Sequence, residues 1–436
     1  MGEHTGFRIG RVELPRRGID MRKWAVVACD QYTSEPEYWE QVAREVGDAP
    51  STLHLILPEA FLGRPQAAAR IRAIQDTMRC YLADGVLREH RGAVYVERML
   101  GDRVRRGLML ELDLEHYDYT AGSSSLIRPT EGTIVERLAP RIEVRSGAAL
   151  ELPHILVLID DPAGTVIEPI GAQRAGLEPL YESELMLGGG RIAGYAVDER
   201  RAQAAARALD ALADPQSFAA RYEVPAGSPP MLFAVGDGNH SLAAAKAIWE
   251  RTKASVGMDH PARFALVEVE NIHDPALDFA PIHRLLLNVS GDVLQAMAGF
   301  FGSRLSSAEV PDAVQMRRRL EAAPPARHAA GLIGPGPRYR LVEIAEPRAS
   351  LAVGTFQSFV EHWIGRGGAA EVDYVHGDDV LERLATEGNN AGLHLAAVSK
   401  GELLLRVVRE GPLPRKTFSM GEAHEKRYYV EARRIR

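Results

Sequence analysis

A chain of 436 residues is too long for one ordinary core and suits two or three domains, and its 46% hydrophobic and 25% charged residues exclude a disordered or fibrous architecture. With 52 Lys and Arg against 59 Asp and Glu, the net charge of −7 argues against a generic basic footprint for nucleic acid, though it leaves room for a local basic pocket. Only Cys29 and Cys80 occur, without zinc-type spacing, the first 20 residues hold no apolar core of signal length, and apolar runs fall far below the ~20 residues that span a bilayer; together these predict a reducing, cytoplasmic setting without disulfides or a membrane partner.

In chain order, Trp24–Cys29 reads as a strand, and Ser34-Glu35-Pro36-Glu37 starts a helix with a cap, a proline in its first turn and acids at its positive end. Leu53–Leu57 reads as a short strand. Ile71, Ile74, Met78 and Leu82 give Arg70–Leu82 a helical period that stops at Asp84-Gly85. Ala93–Met99 and Leu108–Leu114 are β-like runs, and Gly122–Ile134 is a polar loop. Ile155–Ile159 is a strand and Glu199–Leu212 a long helix. Met231–Val235, a glycine loop, the helix former Leu242–Arg251 and Phe264–Val269 then suggest a βαβ-like unit. The rest carries a helix near Val310–Glu321, a proline turn at Ala323–Pro325, a linker or hairpin loop at residues 331–337, strands near Leu341 and Leu403, and the helix Asp378–Glu387. The pattern is α+β (mixed α/β), divided as an N-terminal domain over 1–145, a central domain over 146–290 and a C-terminal domain over 291–436.

The loop Gly236-Asp237-Gly238-Asn239-His240-Ser241 holds the densest chemistry. Two glycines let the backbone turn out of a strand and present amides at a helix start, where an anion binds. Asn239, His240 and Ser241 add donors, and Asp237 could hold a metal ion or take a proton. The competing reading is a capped turn in which Asp or Ser satisfies the helix; the Walker spacing is absent. Asp30, with Gln31, Tyr32 and Thr33, crowds the end of the first apolar strand, where α/β sites gather, and is a candidate general base or a turn former. Cys29 reads as a small buried hydrophobe rather than a nucleophile. Arg128 and Glu131 pair a guanidinium with an acid in one loop, and His283-Arg284 repeats the cationic theme; phosphate binding and plain salt bridging are both open. Lys416 lies in a late run of cations and hydroxyls that leads through His424, Lys426 and Arg427 to Tyr428 and Tyr429, aromatic interleaving that suggests packing onto the body of the protein.

The ordered set of Pro50–Glu59, Ile127–Glu131, Asp237–Ser241, Pro281–Arg284, Tyr374–Gly377 and Pro414–Lys416 resembles a bacterial and archaeal family known as domain of unknown function 1015, whose signature is written DGHHR. Here Asn239 and Ser241 stand where His and Arg are usual. That signature is similar to the phosphate-binding box of the ParB and sulfiredoxin superfamily, which includes free-serine kinases. The resemblance implies a ParB/sulfiredoxin-like core with flanking α/β domains. It further implies that Gly236, Gly238, Asn239, Ser241, Arg128, His283, Arg284 and Lys416 grip phosphate, that Asp30, Asp237 and His240 are catalytic, and that Gln31, Tyr32, Thr33 and Glu131 touch substrate.

The resulting expectation is a phosphotransferase acting on a small hydroxyl metabolite, with L-serine to O-phosphoserine as the first choice, pyrophosphate or a nucleotide as donor, and Mg²⁺ held by Asp237. The alternative is a ParB-like nucleotide-binding regulator without kinase activity, although no helix-turn-helix with a basic recognition helix is evident. A sulfiredoxin-like redox enzyme would need an exposed thiolate beside the loop. Oligomeric state is not legible.

Overall fold

The computed structural model describes residues 5–120, 122–336 and 338–436. They form a mixed α+β protein of two compact units, one taking in residues up to Asp278 together with Val407–Pro412 and Gly421–Arg436, the other Phe279–Arg406 and Leu413–Met420. The borders expected near residues 145 and 290 do not mark these units. Strands from both sides of residue 145 share one sheet, and the units change over between Asp278 and Phe279. Among the described residues no helix is long and apolar enough to cross a membrane.

The first unit is built on a nine-stranded sheet in the order Glu178–Glu184, Arg191–Ala196, Val94–Leu100, Arg103–Asp113, Phe264–Asn271, Leu156–Ile159, Phe233–Asp237, Ile127–Pro129, with Phe7–Arg8 on Arg103–Asp113. Side chains alternate between two cores: Val94, Val96, Met109 and Leu266 enter one, while Tyr95, Leu108, Leu110, Ala265 and Val267 enter the other. The expected βαβ-like unit is corrected here. Phe264–Asn271 runs parallel to Leu156–Ile159, and Phe233–Asp237 runs antiparallel to that same strand, so the two strands flanking the glycine loop and its helix are antiparallel and separated by a third.

The face carrying Met109 and Leu266 also carries charge, because Arg98, Arg105, Glu111, Glu268 and Glu270 are all buried. Partners for Arg98, Arg105, Glu111 and Glu268 come from the segment Gly421–Arg436. Arg427 pairs with Glu268 and Glu431 and donates through Nε to the Pro153 carbonyl at 3.1 Å. Arg433 reaches Glu151 at 2.5 Å and Glu111 at 3.4 Å. Arg105 Nε lies 2.8 Å from Glu270 Oε1, at an angle that forms an ion pair without a hydrogen bond; burial still drives the Glu270 carboxyl upward. Gly107 is required by this packing, since a Cβ there would sit 2.1 Å from Glu268 Oε1. The same segment adds strand pairs, Tyr428–Tyr429 with Val26–Val27 and Arg433–Arg434 with Leu150–Glu151.

The second unit holds a sheet in the order Leu305–Val310, Arg338–Ala345, Arg327–Gly334, Ala391–His394, Phe279–Leu287, Glu371–His376, with Phe418–Met420 also on Phe279–Leu287; every pairing is antiparallel. Its helix Ala352–Ile364 buries Val353, Phe356, Phe359, Val360 and Trp363, the spacing of one helical face.

Several elements differ from the sequence reading. Leu53–Leu57 is no strand: Ser51 accepts the Leu53 amide hydrogen and starts a tight turn over Thr52–Leu55. Leu403 lies in the helix Lys400–Glu410, where Leu403, Leu404 and Val407 are buried at helical spacing and Glu402 meets Arg406 at 3.3 Å. Trp24 ends the helix Met21–Trp24 capped by Asp20, leaving only Val26–Val27 as strand. The stretch 331–337 begins inside the strand Arg327–Gly334, and its residue 337 lies outside the described residues. The Glu199–Leu212 helix stands as expected.

Replacing Arg427 with Met strands Glu268 and Glu431 in the interior, so Arg427→Met should destabilise the protein by roughly 3 to 5 kcal/mol in urea denaturation; a loss below about 1 kcal/mol would show that the terminal segment is not held by its charges.

Candidate functional site

The glycine loop sits in the first unit. Phe233, Ala234 and Val235 are buried, and the register of their strand against Leu156–Ile159 slips between Val235 and Asp237, which turns the chain out of the ladder. Gly238 follows at φ 80°, ψ 21°, and a Cβ there would fall 2.9 Å from Ile155 Cα, so both conformation and space demand glycine. The helix Asn239–Val256 begins at once, with no side chain capping its first turn.

The loop's amides are partly committed. The Gly238 N–H donates to Asp237 Oδ1 at 2.9 Å, and the Ser241 and Leu242 N–H groups both reach the Gly238 carbonyl, at 3.0 and 3.1 Å. The cradle is therefore narrower than the sequence suggested, and Ser241 does not cap the helix: its Oγ lies 3.0 Å from His154 Nε2. His240 Nε2 accepts the Ile134 N–H at 3.3 Å, and the Asn239 Oδ1 is buried without a hydrogen-bond partner.

Lys426 comes to this loop from the terminal segment and holds Asp237 Oδ2 at 3.0 Å, with the lysine 9% exposed. Burial alone would raise the Asp237 carboxyl; the Lys426 charge and hydrogen bond, His154 and the Gly238 amide outweigh it and keep it below the ordinary carboxylate range. His154, just ahead of the Leu156–Ile159 strand, joins the other groups. Its Nδ1 lies 2.7 Å from Tyr429 Oη, and that oxygen accepts the Cys29 N–H at 3.1 Å. The tyrosine's own hydrogen is then free for Nδ1, which places the imidazole proton on Nε2, facing Ser241 Oγ and, at 3.8 Å, Asp30 Oδ2.

Asp30 is brought here because Val26–Val27 pairs with Tyr428–Tyr429. Gln31 Nε2 donates to Asp30 Oδ1 at 3.0 Å, and Gln31, Tyr32 and Thr33 lie in the bend before the helix Pro36–Val46. Tyr32 takes a left-handed φ of 52° and stacks on Tyr38 with ring centres 3.7 Å apart. Burial, with Asp30 beside it, pushes the Cys29 thiol up to about 12, so it offers no thiolate for redox chemistry.

Ile127–Pro129 runs parallel to Phe233–Asp237, and Thr130 Oγ1 donates to the Val235 carbonyl at 2.7 Å, which lays the segment through Glu131 beside the loop. The Arg128 guanidinium, however, donates to the Ser125 and Pro229 carbonyls, both at 2.7 Å, in a nearly buried position. His283, Arg284 and Lys416 belong to the second unit. There Arg284 is fully buried, bound to Gln357 Oε1 at 2.8 Å and the Ile282 carbonyl at 2.6 Å. Arg128 and Arg284, which the sequence set around phosphate, are engaged in holding backbone and side chains in place; Lys416 is in a left-handed turn at φ 59°. The groups that do meet at the loop, Lys426, His154 and Tyr429, were missed as site residues. Only the aromatic and cationic interleaving before Tyr429 signalled that the terminal segment docks, and a lone histidine ahead of an apolar strand gave no motif.

Asp237 does not fit the Mg²⁺ ligand expected of it. One oxygen takes the Gly238 amide hydrogen, the other takes Lys426, and the ammonium already supplies the positive charge a cation would bring. Among the described residues one group, His283, Asp378 and His394 in the second unit, sets metal-ligating atoms within 4.8 Å of one another. Yet the Leu395 N–H donates to His283 Nδ1 at 3.1 Å, so the neutral ring carries its proton on Nε2 and donates it to Asp378 Oδ1 at 3.0 Å. A ligating histidine needs the opposite arrangement. His394 stacks on His283 at 4.2 Å, with its Nε2 3.0 Å from that same oxygen but off hydrogen-bond geometry.

The family model described as "Protein of unknown function (DUF1015)" matches residues 14–362. The chain belongs to this family. No curated protein matches it. Among solved structures it is similar to a free serine kinase in complex with AMP (10% identity, TM-score 0.37, covering 77% of this chain and 92% of that one). It is also similar to a conserved hypothetical protein from Pyrococcus furiosus (12% identity, TM-score 0.35, covering 76% and 94%). A third is the C-terminally truncated SbnI from Staphylococcus aureus (11% identity, TM-score 0.33, covering 71% and 85%).

Two outcomes in acid and by mutation follow from these charges. Asp237 titrates below its unfolded value, so its pairing stabilises the fold above about pH 4 and is lost as the pH falls below that. Asp237→Asn should cost roughly 2 to 3 kcal/mol at pH 7, with the difference from the parent shrinking toward pH 3 in urea titrations; a constant difference would deny the ion pair. In the second unit, burial and the neighbouring His283 push His394 down to about 4, below the ordinary 6.5. The unfolded chain therefore takes up that proton first, and stability present above pH 6.5 drains as the pH falls toward 4. Hydrogen exchange in Ala391–His394 should show protection falling by about 2 kcal/mol between pH 6.5 and 5, and His394→Leu should flatten that slope; an unchanged slope would place the effect elsewhere.

Proposed function

We propose that the chain is a phosphotransferase that moves a phosphoryl group from pyrophosphate or a nucleotide to a small hydroxyl metabolite, with L-serine as the acceptor carried over from the sequence resemblance. The observation that carries this reading is the buried Lys426 ammonium 3.0 Å from Asp237 at the start of an uncapped helix, with His154 and Asp30 alongside. Phosphoryl transfer asks the protein chiefly for position and fixed positive potential. Lys426 and the helix start attract the phosphoryl oxygens. Asp237 orients Lys426, and the protonated Nε2 of His154 donates toward oxygen. Asp30 takes the proton of the acceptor hydroxyl as the new O–P bond forms. The P–O bond to the leaving phosphate or nucleoside phosphate breaks, and its electron pair departs with that group. Magnesium enters this reading only as a companion of the donor's phosphates, and no step passes through it. Arg128 and Arg284, bound to carbonyls as described above, are given no part in it.

Purified protein incubated with Mg²⁺, L-serine and pyrophosphate, ADP or ATP in turn should yield phosphoserine by mass spectrometry with at least one donor. Lys426→Met should cut turnover by about a hundredfold or more while circular dichroism confirms a folded chain. Absence of product with every donor would remove the transfer, and nucleotide binding without product would favour the regulatory alternative.

A further inference from the structure

A second recess opens in the first unit, at the other end of the strands that lead to the glycine loop. Ile127–Pro129 runs parallel to Phe233–Asp237, and the loop follows the second of these strands, whereas Ser125 comes before the first and Pro229 before the second. Arg128 reaches back to the carbonyls of both, which places its guanidinium at the end opposite the loop. There it lines a cleft of about 810 Å³, within the size range of small-molecule sites. Ser124 and Ser228 add hydroxyls to the lining, Val224, Pro225 and Val408 add carbon, and Glu223, Arg409 and Glu410 add charge.

We infer that this cleft binds a small organic carboxylate, held by Arg128 through two parallel hydrogen bonds. The site is separate from the loop, and the inference stands whether or not phosphoryl transfer does. Charge is the first argument. Arg128 is 7% exposed, and among the described residues no carboxylate lies within ion-pair distance of it. Arg105, Arg427 and Arg433, also buried, each face a glutamate. Burial lowers the hold of the Arg128 guanidinium on its proton, and Tyr222, not a carboxylate, is the group that opposes this. A buried cation without a counter-charge is costly, and an anion in the cleft would supply one. Geometry is the second. A guanidinium carries five N–H hydrogens, and here Nε and Nη2 give one each to the Ser125 and Pro229 carbonyls. Nη1 has no partner among the described residues, so the edge formed by Nη1 and Nη2 can meet both oxygens of a carboxylate. Selection among anions is the third. Glu223 and Glu410 line the same cleft, with Glu223 answered by Arg409 at 2.6 Å. A doubly charged phosphate would set two charges against the one that Arg128 brings and meet repulsion from the acids, whereas a single carboxylate is matched. The Ser124 and Ser228 hydroxyls can donate to its oxygens, and Val224, Pro225 and Val408 receive its carbon body.

The test is calorimetry and ligand-observed NMR on the full chain, with isobutyrate, its neutral isostere isobutyramide and inorganic phosphate as probes. Isobutyrate should bind, and isobutyramide and phosphate should each be weaker by about tenfold or more. Arg128→Gln should weaken isobutyrate by about the same factor. If that variant fails to fold, Ser228→Phe, which crowds the cleft from the turn closed by the Pro225 carbonyl, serves in its place. Silence from all three probes, equal binding of isobutyrate and isobutyramide, or isobutyrate binding undiminished in the folded variant overturns the inference. A preference for phosphate over isobutyrate overturns it as well, on the ground of charge. None of these outcomes depends on phosphoserine formation, which reports on the loop at the other end of the strands.

Discussion

The first unit depends on charge taken out of water. Arg98, Arg105, Glu111, Glu268 and Glu270 project from the centre of its sheet into the interior, where each unpaired ion would cost several kcal/mol. Arg427, Glu431 and Arg433 make that face tolerable, and they arrive on a segment that follows the whole second unit in sequence. Hydrophobic burial is ample on the opposite face, where Phe7, Tyr95, Leu110, Phe233 and Trp249 share one core. The ionic face supplies something a second oily face would not: an arginine set between two glutamates fits one docking register, whereas leucines would accept several.

That register is what assembles the site. Once Arg427 is placed, Lys426 before it meets Asp237, and Tyr429 two residues after it meets both the Cys29 amide and His154. The strand pair of Tyr428–Tyr429 with Val26–Val27 brings Asp30 to the same end. The loop itself contributes a glycine that no other residue can replace and an acid that organises its neighbours. Its anion-attracting power is shared between a helix start with some of its amides already used and one buried ammonium.

What could be read from the sequence is what local rules determine. The helix Glu199–Leu212, the helix after the glycine loop and the strand before it follow from propensity, capping and periodicity over short windows. Leu53–Leu57 and Leu403 show the limit, since a short apolar run fits a strand, a turn or a buried helix face until its partners are known. At the site, Asp30, Asp237 and Ser241 stood in conspicuous motifs, whereas His154 and Lys426 are ordinary in sequence and acquire meaning only through partners 87 and 189 positions away. Arg128 and Arg284 err in the other direction. A guanidinium suggests a phosphate, yet both were needed to satisfy carbonyls in the interior. The antiparallel arrangement around the loop was hidden for a similar reason, because a strand, helix and strand in succession do not reveal that Leu156–Ile159 inserts between them.

The interrupted course of the first unit has a consequence for how the chain is made. Its sheet is translated before Phe279, but the residues that neutralise its ionic face emerge only after the second unit has been synthesised. At ordinary ribosomal speed that is a delay on the order of ten seconds, during which acids and arginines meant for the interior lack those partners. The nascent protein must therefore wait in a half-closed state, exposed to chaperones and proteases.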